Sequence, residues 1–342
     1  MFEYIRFKKT FKLVMAGIIA STIAGNIRTS DKIARADSKP KVVASHSVIC
    51  DLLNAIAEET IELTCLLEGD RDPHTYRPTP SDRKALEQAQ LIFYGGYNLE
   101  PQIVESLADL ETPQVALYEQ VVTEPIMAEH DHGHGGEHGE GEHDDHEHEA
   151  DKTSKSELEP DPHVWHNVEN TVKMVEVIRS AFLQANPDAA EQYLLNSVTL
   201  TERLWQLDAW IKDQIATIPE NQKVLVTTHN SLNYYVTAYN LDDYLALQGL
   251  SAESSPTASQ VRELSEQIKA TEVPTIFAES TKSDRVLRNV AKAADVELAE
   301  QPIYADTLGP SENYIDMMSH NTCTIVDGLG GECEPFQTVS NR

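Results

Sequence analysis

Short apolar segments alternate with stretches of helical periodicity along most of this chain, and this alternation restricts the fold more than any other feature. The apolar segments are rich in β-branched and aromatic residues and end at turn residues, as strands do. Strands that alternate with helices form parallel βα units. In the first half, the predicted strands are Lys41–Ala44, Ile61–Leu67, Leu91–Tyr94 and Gln114–Tyr118, and the predicted helices are Ile49–Glu58 and Ser81–Ala89, the latter with Ser81 as N-cap.

The alternation is interrupted once, by two helical stretches with no strand between them. The first, Asn167–Leu183, stops near Asn186-Pro187. The second, Ala189–Ile218, has apolar residues such as Leu194 and Leu204 at helical spacing and no helix breaker, which is long for a globular helix. We interpret it as a strut that joins two lobes. Beyond it the predicted strands are Lys223–Thr227, Tyr244–Gly249, Thr275–Ala278 and Glu297–Glu300, and the predicted helices are Val261–Thr271, Asp284–Ala294 and a last one capped by Ser311.

The pattern therefore predicts an α/β fold with two βα lobes, each built on a parallel sheet, joined by one long helix. In open parallel sheets, ligands bind beyond the carboxyl ends of the strands. A binding site is accordingly expected in the cleft between the lobes. The predicted division is a signal peptide at 1–36, an N-terminal lobe at 37–187 with a disordered insertion at 128–158, a linking helix at 188–219 and a C-terminal lobe at 220–342.

The insertion consists almost entirely of histidine, glycine and acidic residues between Glu129 and Asp151. Such a segment cannot bury a core and should stay hydrated. Its imidazole and carboxylate groups are donors that borderline divalent cations take, so it predicts accessory, weak metal binding. A solvated spacer that binds metal only incidentally remains the alternative. The histidines of this tract are His130, His132, His134, His138, His143, His146 and His148.

The first residues have the pattern of a secretory signal peptide. A basic start precedes an apolar run, Leu13–Ala24, that is too short to cross a bilayer, and Ala34-Arg35-Ala36 offers a cleavage site. No cysteine lies near it to hold a lipid anchor, so a soluble, exported mature protein is expected. The chain has a formal net charge of −29, which excludes nucleic acid as a partner and favours a cation.

Four cysteines remain after export, and an oxidising compartment permits disulfides. Cys323 and Cys333 enclose a glycine-rich stretch that can fold back, and they are the predicted disulfide. Cys50 and Cys65 either pair or are simply buried. No Cys-x-x-Cys spacing points to a cysteine metal site.

Four residues at predicted strand ends or helix starts could bind one metal ion together: His74, His163, His229 and Asp306. Asp-Pro-His occurs at both His74 and His163, where proline stiffens the backbone. Three imidazoles and a carboxylate form a closed four-coordinate set that suits Zn²⁺. A lone histidine after a strand is more often a hydrogen-bonded loop residue, and an aspartate in a turn commonly caps backbone N–H groups.

Other polar residues near these positions have less specific interpretations. His46 and His166 could orient a ligand, although structural roles are favoured for both. Glu279 could orient a ligand or pair with Arg285. His320 is predicted to be a surface residue of the last helix.

At these positions the chain resembles a known family, the metal-binding solute receptors of ABC importers, and within it the zinc type often called ZnuA. The likeness runs from about Lys41 to Leu329. The residues that match are Asp72-Pro73-His74-x-Tyr76-x-Pro78-Thr79-Pro80-Ser81-Asp82, Asn98-Leu99-Glu100, Asp161-Pro162-His163-x-Trp165 and Phe277-x-Glu279-Ser280.

The resemblance implies two βα lobes, one long helix and a metal buried between the lobes. It places the family's ligands on His74, His163, His229 and Asp306. Manganese-type members usually have glutamate where His229 stands, and imidazole in place of an oxygen donor shifts preference towards Zn²⁺. A His-rich insertion is common in zinc-type members of the family. His166 departs from the family, since many relatives have an apolar residue there, and the missing anchor cysteine suggests a periplasm.

The leading hypothesis is therefore a periplasmic, monomeric receptor that captures Zn²⁺ as transported ligand and delivers it to an ABC-importer permease. It would not be an enzyme. One alternative is a manganese receptor of the same fold. A secreted zinc hydrolase is disfavoured, because a catalytic zinc keeps an open position and the chain has no His-Glu-x-x-His.

Overall fold

The first lobe is built on a four-stranded parallel sheet whose strands follow the predicted alternation. The structure, a computed structural model, describes residues 39–129, 158–251 and 255–337. The sheet order is β2-β1-β3-β4. The residues that point inwards from it, Val42, Ala44 and Phe93 among them, are almost completely buried. The strands are β1 Lys41–Ala44, β2 Glu62–Cys65, β3 Leu91–Tyr94 and β4 Gln114–Ala116.

Helices connect these strands, and several boundaries in this lobe differ from the predictions. The cap of the second helix is Thr79, whose hydroxyl accepts from Asp82 N–H while Pro80 occupies the first helical position, so Ser81 as N-cap was wrong. The predicted strand Gln114–Tyr118 is shorter, because a helix begins at Leu117. The helices are α1 Ser47–Ala57, α2 Pro80–Gln88, α3 Pro101–Leu107 and α4 Leu117–Val121.

A small antiparallel ladder that the sequence did not predict borders the His-rich tract. Strand β5, Met127–Glu129, pairs with β6, Leu158–Pro160. Its terminal pair is Glu129 with Leu158. The tract's seven histidines lie outside the described residues, as do the predicted signal peptide and its cleavage site.

Two helices with no strand between them follow, as predicted. Helix α5 spans Val168–Ala185 and α6 spans Ala190–Ile215, a length of 26 residues. Leu204, Leu207 and Ile211 are fully buried on α6, whereas Leu194 is 48 % exposed and faces away from the core. Helix α6 leads from the first lobe into the second.

The second lobe repeats the parallel arrangement. Strand β7 pairs in parallel with β8, and β9 with β10, while a parallel bridge between Thr227 and Phe277 joins the two pairs. The last helix is capped by the Asn313 side chain, which accepts from Asp316 N–H, so the predicted cap at Ser311 was wrong. The elements are β7 Val224–His229, α7 Asn233–Tyr239, β8 Asp243–Gln248, α8 Ala258–Lys269, β9 Thr275–Ile276, α9 Arg285–Ala294, β10 Glu297–Leu298 and α10 Tyr314–Gly328.

The structure confirms the predicted α/β class, the parallel sheets in two lobes and the single long helix. It also contains two disulfides. Cys323 and Cys333 are bridged as predicted, with Cα atoms 5.2 Å apart. Cys50 and Cys65, for which pairing or simple burial was left open, are bridged as well, and their Cα atoms are 5.9 Å apart. Among the described residues, no helix is long and apolar enough to span a membrane.

Candidate metal centre

The four residues singled out in the sequence lie at one buried point between the lobes. His74 and His163 come from the first lobe, from the loop after β2 and the turn before α5. His229 is the last residue of β7, and Asp306 follows β10. One ligand atom from each residue lies within 4.8 Å of all the others. The exposed fractions are 4 % for His74 and 0 % for the other three.

The distances between these atoms match a small coordination polyhedron. Asp306 Oδ1 is 3.7 Å from His74 Nε2, 3.5 Å from His163 Nε2 and 3.3 Å from His229 Nε2. The Nε2 atoms of His74 and His163 are 3.2 Å apart. Zn–N bonds of about 2.0–2.1 Å imply edges of about 3.3 Å in a tetrahedron. The four distances are therefore close to those between ligands of one ion.

Two of the four ligand atoms have no hydrogen-bond partner among the described residues, although both are buried. They are His229 Nε2 and Asp306 Oδ1. An unsatisfied buried polar atom costs about 1–3 kcal/mol, and more when the group is charged. A cation between these atoms would satisfy both of them at once.

A buried carboxylate orients His163. Asp161 Oδ1 accepts hydrogen bonds from the His163 backbone N–H at 2.9 Å and from His163 Nδ1 at 2.8 Å. The other oxygen, Oδ2, accepts from Asn233 Nδ2 at 2.9 Å. With the proton held on Nδ1, the lone pair on Nε2 points to the centre, as in carboxylate–histidine–metal arrangements.

Glu279 orients His229 in the same way. Its carboxylate accepts from the His229 backbone N–H at 2.9 Å and from His229 Nδ1. Glu279 is 2 % exposed, whereas Arg285, the partner considered in the sequence, is exposed at the start of α9. The structure thus places Glu279 behind a candidate ligand rather than in an ion pair with Arg285.

The repeated Asp-Pro-His motif has a shared backbone function. In each copy the aspartate side chain accepts the backbone N–H of the histidine two residues later, at 3.0 Å for His74 and 2.9 Å for His163. This Asx turn, with proline at its centre, fixes the direction in which each histidine leaves the chain. The motif therefore presets two of the four donors before any ion arrives.

Two further histidines hold the loop that contains Asp306. His46 Nε2 contacts the Asp306 backbone oxygen at 2.7 Å, and His166 Nε2 contacts the Ala305 oxygen at 2.8 Å. Burial lowers the pKa of His46 to about 4 and that of His166 to about 3, so both are neutral donors at physiological pH. They position a ligand from behind, in keeping with the structural roles favoured for them.

His320 lies away from this cluster, on α10. It is half-buried, stacks on Tyr304 with ring centroids 4.5 Å apart, and contacts the Pro302 oxygen at 2.9 Å. His320 is thus partly exposed on the last helix, with its ring against Tyr304.

The charges around the centre set the protonation of its histidines in opposite directions. Burial lowers the pKa of His74 to about 4, although Asp306 opposes this. Burial also lowers the pKa of His229, but Glu279 and Asp306 outweigh it and raise that pKa to about 9. Burial raises the pKa of Asp306, but Lys282 and His229 hold it well below its ordinary value. In the absence of an ion, the buried carboxylates thus keep a proton on His229.

Lys282 and Thr281 also belong to this centre, and the sequence reasoning missed both. Lys282 Nζ lies 3.2 Å from Asp306 Oδ2, and Thr281 Oγ1 donates to the same oxygen at 2.8 Å. The one available signal was their place directly after the matched motif, which ends at Ser280.

A cavity of about 240 Å³ lies against His74 and gives the centre a possible entrance. Tyr97 and Pro101 line it from the first lobe, and Leu250 and Ser251 from the second. Its volume is several times that of one water molecule, about 30 Å³, so it has room for water beside His74.

The sequence is similar to those of known metal-binding proteins. Residues 42–328 match the sequence profile of the family described as "Zinc-uptake complex component A periplasmic". The manganese-binding lipoprotein MntA of Halalkalibacterium halodurans is 30 % identical over 296 residues, which cover 84 % of this chain and 88 % of that protein.

Solved structures show the same architecture. The periplasmic zinc-binding protein TroA of Treponema pallidum aligns with a TM-score of 0.73 and 25 % identity, over 85 % of this chain and 99 % of that one. Fe(III)-bound YtgA of Chlamydia trachomatis aligns with a TM-score of 0.71 and 24 % identity, over 86 % and 99 %. The likeness to YtgA is one of fold.

Proposed function

The chain belongs to the family of the periplasmic zinc-uptake component A, the metal-binding receptors of ABC importers, and we propose that it captures one Zn²⁺ ion and delivers it to a membrane permease. The ligands in this proposal are His74, His163, His229 and Asp306. The ion is cargo, so no bond of a substrate is made or broken. Affinity comes from donors that the fold has already brought together.

One observation carries the choice of zinc: three imidazoles and one carboxylate oxygen converge, with Asp306 Oδ1 3.3–3.7 Å from the three Nε2 atoms and all four donors within 4.8 Å of one another. Zinc favours four-coordinate tetrahedral sites with nitrogen and oxygen donors. Manganese favours six ligands in an octahedral arrangement, most of them oxygen atoms. Three nitrogen donors in a tetrahedral spacing therefore support zinc.

Manganese is the second candidate, and the names of the relatives favour it. MntA of Halalkalibacterium halodurans is described as manganese-binding, and so is the PsaA lipoprotein of Streptococcus anginosus, with 30 % identity over 310 residues. TroA of Treponema pallidum is described as zinc-binding. Direct competition decides between them, because Mn²⁺ that displaces Zn²⁺ at comparable concentration would favour the manganese receptor.

The family is one of transport receptors, and the geometry of the centre supports a binding role without catalysis. A catalytic zinc keeps one position open for water. Here four protein donors would fill a tetrahedral ion. A zinc-dependent hydrolase would need one of them to dissociate, so hydrolysis is not part of the proposal.

The remaining parts of the proposal concern export and the His-rich tract. We propose that residues 1–36 are a cleaved signal peptide and that the mature, monomeric protein works in the periplasm, with lobes at 37–187 and 220–342 and the linking helix at 188–219. We also propose that the histidines of the tract bind zinc weakly, apart from the central site. The relatives described as lipoproteins suggest that membrane attachment should be tested alongside export.

Deleting residues 130–151 is expected to leave one tight zinc site per chain. Residues 152–157 would still connect Glu129 to Leu158, which face each other in the β5–β6 ladder, so the deletion should not disturb Asp161. Titration of the metal-free protein with Zn²⁺ by calorimetry should show one tight equivalent in both forms and additional weak equivalents only in the complete chain.

The matched control for this deletion is the complete chain with His163→Ala. That variant should keep the weak equivalents and lose the tight one. If the deletion instead removes the tight site, the tract contributes ligands to it and the proposed set of four is wrong.

Zinc affinity is expected to increase with pH between about 6 and 9. In the metal-free protein the pKa of His229 is raised to about 9, so at neutral pH the ion must displace a proton. Each displaced proton changes the apparent affinity by up to about tenfold per pH unit below that pKa. Competition with a chelator of known affinity at pH 6, 7 and 8 measures the slope.

Glu279→Gln provides the control for this dependence. Without the Glu279 charge, the pKa of His229 should fall and fewer protons should be released at pH 7. An apparent affinity that is the same at pH 6 and pH 8 in the unmodified protein would contradict ligation by His229.

A further inference from the structure

The two oxygens of Asp306 have different surroundings. Oδ1 faces the three histidines and has no hydrogen-bond partner among the described residues. Oδ2 faces the other way, where it accepts from Thr281 Oγ1 at 2.8 Å and lies 3.2 Å from Lys282 Nζ. A carboxylate oxygen has about two lone-pair sites, so these two donors use the capacity of Oδ2.

Lys282 is itself held in place from the opposite lobe. Its ammonium group also donates to Asp72 Oδ2, and its side chain is 8 % exposed. The other oxygen of Asp72 accepts the backbone N–H of His74 at 3.0 Å. Lys282 therefore lies within a continuous set of contacts from the His74 loop to Asp306, and a movement away from Oδ2 would remove a cation from the buried Asp306 carboxylate.

The charge of Lys282 is not explained by metal capture itself. A cation this close to the centre opposes the entry of any divalent ion, and burial of an ammonium group is unfavourable in its own right. A residue that lowers the affinity for every cation should have another role. The contact with Oδ2 suggests that this role is geometric.

We propose that Lys282 and Thr281 restrict Asp306 to a single coordinating oxygen and so select for an ion that accepts four ligands. This inference rests on the proposed function. With Oδ2 engaged, Asp306 can offer only Oδ1, and the centre has three nitrogens and one oxygen. An ion that prefers six ligands, such as Mn²⁺, would need Oδ2 or water in addition. Lys282 is thus a positioning residue for Asp306 and a determinant of zinc over manganese.

The test compares Lys282→Met and Thr281→Val with the unmodified chain, each loaded with one equivalent of Zn²⁺. The measured quantity is the Mn²⁺ concentration that displaces half of the zinc. Loss of the lysine charge should raise the affinity for both ions, so only the ratio of the two affinities reports on geometry. We expect that ratio to move towards manganese by about tenfold, or about 1.4 kcal/mol, in Lys282→Met, with a smaller shift in the same direction in Thr281→Val.

Lys292→Met is the matched control, because it removes an exposed lysine from α9 of the same lobe and should leave the ratio unchanged. Co²⁺ at one equivalent gives a second measurement, since four-coordinate cobalt absorbs visible light much more strongly than five- or six-coordinate cobalt. The band should be strong in the unmodified chain and in Lys292→Met, and weaker in Lys282→Met and Thr281→Val.

An unchanged ratio and an unchanged cobalt band, in variants that still bind one zinc, would overturn this inference and leave the proposed function standing. If Lys282→Met does not fold, Thr281→Val alone decides in the same way, because it removes one hydrogen bond to Oδ2 and no charge. If the unmodified chain fails to bind one tight equivalent of zinc, the proposed function fails and the inference fails with it.

Discussion

Replacing His229 by alanine is expected to weaken tight zinc binding by about 100-fold or more. Structural zinc sites with four ligands have apparent binding free energies of about 10–16 kcal/mol, or roughly 3 kcal/mol for each ligand. Loss of the imidazole also leaves Glu279 buried without the Nδ1 donor that it now accepts from. The dissociation constant of the tight equivalent, measured by chelator competition, should show the change.

His320→Ala provides the comparison for this variant, since it removes an imidazole from α10 that lies outside the cluster and contacts the Pro302 oxygen. Its zinc affinity should stay within about twofold of the unmodified chain, a difference of roughly 0.4 kcal/mol. If both variants bind zinc as tightly as the unmodified protein, the ion is held elsewhere and the assignment of the centre is wrong.

Zinc is expected to stabilise the folded protein by about 4 kcal/mol when its free concentration is a thousand times the dissociation constant. The ion would join His74 and His163 of the first lobe to His229 and Asp306 of the second, a set of donors that the unfolded chain does not bring together. For a protein of this size the melting temperature should rise by about 6 °C. Differential scanning calorimetry with and without zinc measures the shift.

Reversal by a chelator and the absence of a comparable effect with Mg²⁺ separate this stabilisation from a general effect of divalent cations. His229→Ala should melt at nearly the same temperature with and without zinc. A zinc-dependent increase that persists in this variant would show that the stabilising ion binds outside the four residues.

Much of the architecture was predictable because the fold repeats a local pattern. Strands such as Leu91–Tyr94 occur with the predicted bounds, since their apolar residues are buried on both faces of a parallel sheet. The positions of His74 and His229 followed from a topological rule, because loops at the carboxyl ends of parallel strands line the binding edge of a sheet. Asp-Pro-His was informative because its aspartate and proline fix the histidine through a local turn.

The errors occurred where neighbouring residues compete or where distant residues meet. Thr79 and Ser81 are both good caps, and Pro80 decided between them because it fits only the first helical position. Helical spacing also did not show which apolar residues of α6 are covered: among the described residues Leu204 is buried, whereas Leu194 is 48 % exposed. The contacts of Lys282 join residues 210 positions apart, a separation at which sequence spacing gives no information.

The antiparallel ladder of β5 and β6 separates the His-rich tract from His163, the candidate ligand that follows it. The position of His163 should therefore not depend on the length of the tract. Glu129 and Leu158 form its last pair, and the Asp161 backbone N–H donates to the Ile126 oxygen at 2.8 Å on the other side. Asp161, and with it His163, is thus held in place by the ladder, whatever segment connects Glu129 to Leu158. Natural variants could lengthen, shorten or exchange the tract, and a protein engineer could insert a sensor or tag there, without changing the metal centre.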